Sequence, residues 1–131
     1  MKLKLNIERT RVVTTDDMRI FCGAEPLRFE AVSHIPNEVH GVLLDWTEAG
    51  RPADKAAEIA PRLFRSVSQN GTSYPIAGPE GGQALREALG DELLRDVIEE
   101  FWNYDARFFA IRRRGFVNSQ PPPENGESSE A

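Results

Sequence analysis

At 131 residues, with a hydrophobic fraction of 40% and a charged fraction of 28%, the chain falls in the globular range and suits one domain with a modest core. A net charge of −5 argues against non-specific nucleic-acid binding, which needs a basic surface. The single cysteine, Cys22, excludes an internal disulfide and fits a reducing compartment.

Met1-Lys2-Leu3 opens directly into polar alternation without the apolar centre of a signal peptide. Apolar runs such as Gly41–Leu44 fall far short of a membrane span. The expected product is a soluble protein of the cytoplasm. In residues 1–7, MKLKLNI, apolar side chains alternate with Lys2, Lys4 and Asn6, the period of a half-buried strand. The β-branched Arg11–Thr15 returns as a second strand after a turn near Glu8–Thr10, and Asp16 and Asp17 break it. Met18–Cys22 holds too few apolar residues to fix a period. Gly23–Pro26 reads as a turn, and Leu27, Phe29 and Ala31 alternate with Arg28 and Glu30 as another strand. Ser33–Glu38 reads as a loop, because Pro36 holds Ile35 extended. Val39–Trp46 is predicted to be a more buried strand. The short connections place this first third in one antiparallel sheet.

After the break at Ala49–Pro52, Ala53–Ile59 is predicted to be a helix with Pro52 at its first position, interrupted at Pro61. Leu63–Val67 and Thr72–Ile76 flank Asn70-Gly71, a dipeptide that accepts positive φ twice and closes a hairpin. Gly78-Pro79 ends that unit. Glu80–Leu89 is a short helix with one apolar side, and Gly90 fits its left-handed terminus. Gly90–Ile111 is the longest periodic stretch. Leu93, Val97, Phe101 and Phe108 form one row and Leu94, Ile98, Trp102 and Phe109 the next, both on one side of a helix. Asp91 is placed to cap it, the run Arg112–Arg114 to end it and Gly115 to stop it. From Ser119 the sequence SQPPPENGESSEA is expected to be disordered. The pattern is α+β: a single domain over residues 1–118, strand-rich over 1–48 and mainly helical over 52–118 with a hairpin at 63–76. N-terminal antiparallel strands pack against C-terminal helices, and residues 119–131 form a disordered tail.

No established catalytic signature is present. His34, His40 and Asp45 are the one grouping that suggests a metal, but spacings of six and five residues match no common zinc arrangement. Surface or half-buried histidines are the simpler reading. Cys22 has no neighbouring charge to lower its pKa and reads as a buried, inert thiol. The stretch Gly78-Pro79-Glu80-Gly81-Gly82 lacks the lysine and hydroxyl of a P-loop, and Pro79 removes an amide donor, so it reads as a flexible linker. Glu99 and Glu100 are adjacent on a helix and point about 100° apart, which fits a solvated face better than an acid–base pair. Arg112, Arg113 and Arg114 either terminate the helix dipole or form a docking patch for an acidic partner or for the chain's own acidic tail. Phe108 and Phe109, beside Arg107 and close to the end of the folded part, have the composition of an interface hot spot.

The run from Arg65 to Trp102 resembles the small tail assembly chaperones of long-tailed bacteriophages. The likeness rests on a strand and Asn70-Gly71 turn, then Tyr74-Pro75-Ile76, a short helix ending near Leu89, and Glu92-Leu93-Leu94 opening a longer helix. A lysine-flanked first strand and a polar Pro/Ser/Glu tail, Pro121–Ala131, add to it. Pro61 departs from the pattern, because the family has longer helices there. The resemblance implies a non-enzymatic protein without cofactor or metal. It would bind tape-measure and tail-tube proteins, self-associate through apolar helical faces and be absent from the virion. Phe108, Phe109, Arg112, Arg113 and Arg114 are the expected partner contacts. The alternatives are a structural virion part, such as a tail-completion or connector subunit, and a small metal-dependent enzyme using His34, His40 and Asp45.

Overall fold

The computed structural model describes the backbone at residues 9–23 and 25–117, and side chains as far as residue 106. Its elements follow in the order β1 (Thr10–Thr14), β2 (Arg28–Val32), α1 (Asn37–Glu48), α2 (Ala53–Leu63), β3 (Phe64–Gln69), β4 (Thr72–Pro75), α3 (Gly78–Leu89) and α4 (Asp91–Val117). The strands form one antiparallel sheet in sequence order, so the class is α+β, as the patterning implies. The expected strand at residues 1–7 and the tail at 119–131 lie outside the described residues.

Alternation places the core on one face of the sheet. Val13 pairs with Phe29, and Phe29 with Val67. Val13, Phe29 and Ala31 are buried, whereas Val12, Arg28 and Glu30 are exposed. The register shifts between Glu30 and Ala31, which brings Ala31 opposite Phe64. Phe64 then stacks on Phe29 with ring centroids 4.6 Å apart and meets the edge of Phe101 at 5.1 Å. Burying each of these rings contributes up to roughly 3 kcal/mol before entropy is counted. Leu94, Val97, Ile98 and Phe101 of α4 are fully buried, so the predicted apolar side of this helix does cover the core.

Four expectations are corrected. Val39–Trp46 is not a strand but the body of α1, in which Val39, Leu43 and Trp46 are buried at steps of four and three. Short apolar runs do not separate the two periods, and here the helix is started by Pro36, whose carbonyl accepts from Val39 and His40 N–H. Pro61 does not interrupt α2, which runs to Leu63. The stretch from Gly78 to Gly82 is no linker: α3 begins at Gly78. Gly115 lies inside α4 instead of stopping it.

The second and third corrections share a cause. Proline at 61 removes the N–H that would bond the Ala57 carbonyl inside the helix. That carbonyl is where α3 crosses: a Cβ built at Gly82 would lie 1.9 Å from Ala57 O and 3.2 Å from Pro61 Cδ. Glycine therefore permits a backbone-to-backbone approach that no other residue allows. The predicted hairpin turn is present, with strand bounds shifted from Leu63–Val67 to Phe64–Gln69 and from Thr72–Ile76 to Thr72–Pro75. Asn70 and Gly71 take φ of 54° and 81°, and Gln69 pairs with Thr72 across them.

Candidate functional site

Phe108, Phe109, Arg112, Arg113 and Arg114 belong to the α4 backbone, but their side chains lie outside the described residues. The nearest described turn shows how that end of the helix is held. Arg11 on β1 donates to Asp105 through Nη2 at 2.6 Å, and Asp105 is buried. The guanidinium carbon also sits 5.4 Å from the Phe101 ring and 5.5 Å from the Tyr104 ring. One turn earlier, Trp102 Nε1 donates to His40 Nδ1 at 3.0 Å, tying α4 to α1.

That bond accounts for His40, which faces an indole instead of a metal. Among the described residues no three His, Cys, Asp or Glu side chains come together as a metal site. His34 is exposed on the loop before α1, and Asp45 lines a cleft between α1 and α2. Glu99 is paired with Arg51. Cys22 is half-buried, its Sγ 3.2 Å from Thr15 Oγ1, which itself accepts from Leu27 N–H.

Among the described residues two recesses have a mainly apolar lining. The α1–α2 cleft, about 380 Å³, has an apolar floor of Val42, Trp46 and Ile59 and a rim of both signs, Asp45, Glu58, Lys55 and Arg62. Mixed charge at that spacing is the ordinary composition of a solvated helix pair. The second recess, about 340 Å³, lies between β4 and α3 and is lined by Val67, Tyr74, Ile76, Ala84, Leu85 and Ala88. Every residue of β4 is exposed. Tyr74 leaves 58% of its surface in water although it points to the core face of the sheet, opposite Val67. The sheet simply extends one strand further than the helices cover. A large aromatic beside small alanines on an open edge is the composition of a docking groove.

The reading of the sequence missed this site. The apolar side expected for Glu80–Leu89 consists of Ala84, Leu85, Ala88 and Leu89. In the fold only Leu85 is buried and Leu89 half-buried, while Ala84 and Ala88 remain exposed. Period alone assigns the faces of a helix with two apolar rows equally. The available signal was Tyr74, an aromatic on the hairpin's outer strand.

At the far end of α3, Arg86 Nε donates to Asp91 Oδ1 at 2.8 Å. The hydrogen bond from Arg86 holds the Asp91 carboxyl below its ordinary value, and the same bond raises Arg86. Asp91 thus joins the helix ends instead of capping α4, whose first amide bond runs from Leu94 N–H to Gly90 O. Among the described residues no helix is long and apolar enough to cross a membrane. No protein-family model, curated protein or solved structure matches the chain.

Proposed function

We propose that the protein is a non-enzymatic assembly chaperone of a long-tailed phage or prophage, acting in the bacterial cytoplasm by holding apolar segments of the tape-measure and tail-tube proteins. The observation that supports it is the apolar groove beside β4, with Tyr74 open to solvent at its mouth. A holdase needs such a surface exposed in its own folded state, since shielding a client's apolar residues lowers the cost of their exposure. The resemblance of Arg65–Trp102 to tail assembly chaperones spans the hairpin and α3, which build the groove, and the start of α4. Phe108, Phe109, Arg112, Arg113 and Arg114, further along α4, extend the contact surface in this reading. Self-association through apolar helical faces belongs to the same proposal.

Co-expression with the cognate tape-measure protein tests it. The expected result is that the tape-measure protein stays in the soluble fraction with this chain and precipitates without it. Unchanged solubility overturns the role. Mass spectrometry of purified particles separates a chaperone, which is absent from them, from a structural tail part.

A further inference from the structure

We propose that the β4–α3 groove takes an extended peptide segment that pairs with the backbone of Ser73 and carries alternate apolar side chains flanked by lysine or arginine. The proposal rests on the docking role given above and names the chemistry of the client. Two independent features of the groove carry it.

The first is the hydrogen-bonding pattern of the edge. Ile76 N–H donates to Arg65 O, and Val67 pairs with Tyr74 two residues further on. Antiparallel bonding alternates, so Tyr74 turns its amide and carbonyl to β3 while Ser73 turns both outward. Pro75 offers only its carbonyl on that side. The edge therefore presents one donor–acceptor pair centred on Ser73. A helix has no free backbone groups to meet it, whereas a strand does. In a segment paired to Ser73, the two residues flanking the paired one point the same way as Tyr74, into the groove beside Ala84 and Ala88. Apolar residues are required at those two positions.

The second is charge. Glu80 and Glu87 do not line the groove, but they are exposed on α3 one turn before and one turn after Ala84, and that spacing sets them beside its outer rim. No basic residue lines the groove, and the arginines of α3 and β3 have partners of their own: Arg86 donates to Asp91, and Arg65 Nη1 to the Pro61 carbonyl at 2.7 Å. β4 itself carries no charge. An apolar floor with acidic residues beside its rim selects a segment whose own ends, on the groove side, are cationic.

The chain's own MKLKLNI is a competing occupant. Its sequence alternates Leu3 and Leu5 with Lys2 and Lys4, so a strand that put the leucines into the groove would set the lysines on the opposite face.

The test is titration of the full-length, isotope-labelled protein with end-blocked peptides, followed by amide shifts. The probe is Lys-Thr-Leu-Thr-Leu-Thr-Lys. Its controls are the same peptide with glutamate at both ends and one N-methylated at the central threonine. The expected result is that shifts centre on Ser73 and Tyr74. The lysine peptide binds about fivefold more tightly than the glutamate one at low salt, the scale of two exposed ion pairs. That gap closes at high salt. N-methylation weakens binding, and the double variant E80Q/E87Q removes the preference. Equal binding of the charge-swapped peptides, shifts confined to the α1–α2 cleft, or no binding overturns the proposal. So does a gain in peptide affinity and a loss of self-association when residues 2–7 are deleted, because the groove then belongs to a second copy. If these peptides fail while the tape-measure protein is still kept soluble, the chaperone role survives and only the client chemistry falls. If they bind and solubility is unchanged, the reverse holds.

Discussion

Where α3 meets α2, Gly82 approaches Ala57 O so closely that a Cβ would overlap it; where α3 meets β4, Ala84 and Ala88 face a recess of about 340 Å³. One helix twelve residues long thus has a face locked backbone to backbone and a face left unfilled. The locked face fixes the position of α3 without using large side chains. On the open face Leu85 and Ile76 still pack into the core at the inner edge, whereas Ala84 and Ala88 at the mouth are exposed and bear none of that packing. A docking surface is steadier when the contacts that fix its helix lie on another face, as the Gly82 crossing does here.

The sharpest way to break this contrast is to enlarge one small residue on each face. On the locked side, G82A forces backbone apart at α2 and α3 and is expected to destabilise the fold by roughly 2–4 kcal/mol, the upper range for overpacking. On the open side, A84V is expected to change stability by less than about 0.5 kcal/mol. Urea denaturation of the two variants measures the difference. Similar losses would mean that α3 is held as much by its β4 side as by α2.

The Arg11–Asp105 pair offers a second closed contact, with side-chain exposures of 18% and 8%. Removing the carboxylate in D105A leaves Arg11 beside Phe101 and Tyr104 without that ion pair. A loss of about 2–3 kcal/mol is expected, below the figure for fully buried pairs because part of the guanidinium still reaches water. Calorimetry reads it as a lowered Tm. A variant as stable as the parent would show that the ion pair adds nothing to the other contacts of Arg11.

Y74A probes the open side directly. The ring is 58% exposed, so its truncation is expected to cost less than about 1 kcal/mol of stability. Under the proposed function it removes most of the binding to the client while the fold stays intact. Circular dichroism and the co-expression assay together check this. Loss of fold with loss of binding would return Tyr74 to the core.

These sites differ in how far the sequence exposes them. The hairpin was legible because Asn70-Gly71 makes a local demand that its own two residues satisfy. The buried row Leu94, Val97, Ile98 and Phe101 was legible because one helix carries the whole pattern. Helix α1 was not: in Val39–Trp46 the same apolar residues fit either period, and the deciding contacts come from Pro36 before it and Pro52 after it, whose carbonyl accepts from Trp46 Nε1. Pro61 and Gly82 each read as a break. Together they form a crossing, and only the fold brings two positions 21 residues apart into register. The groove shares that property, since Tyr74 and Ala84 acquire a common face only once α3 has turned back along β4. The residues beside its rim, Glu80 and Glu87, look like ordinary solvated charges until then.

The link between α3 and α4 should give the smallest effect. Arg86, half-buried, and Asp91, exposed, bridge the helix ends at the surface, so their pairing fixes direction more than stability. Asp91 has a folded pKa below its unfolded one, near 3.9. The stability it contributes is therefore present above about pH 4 and is lost as pH falls through the lower, folded value. Arg86 is raised from a value already far above this window and stays charged throughout. The parent should thus exceed D91N slightly at neutral pH, and the two stability curves should meet in acid. Salt should shrink the neutral-pH gap without moving the point where they meet by much. A gap that instead widened below pH 4 would place the proton of Asp91 in the folded state, and would assign the turn between α3 and α4 to the Gly90 backbone alone.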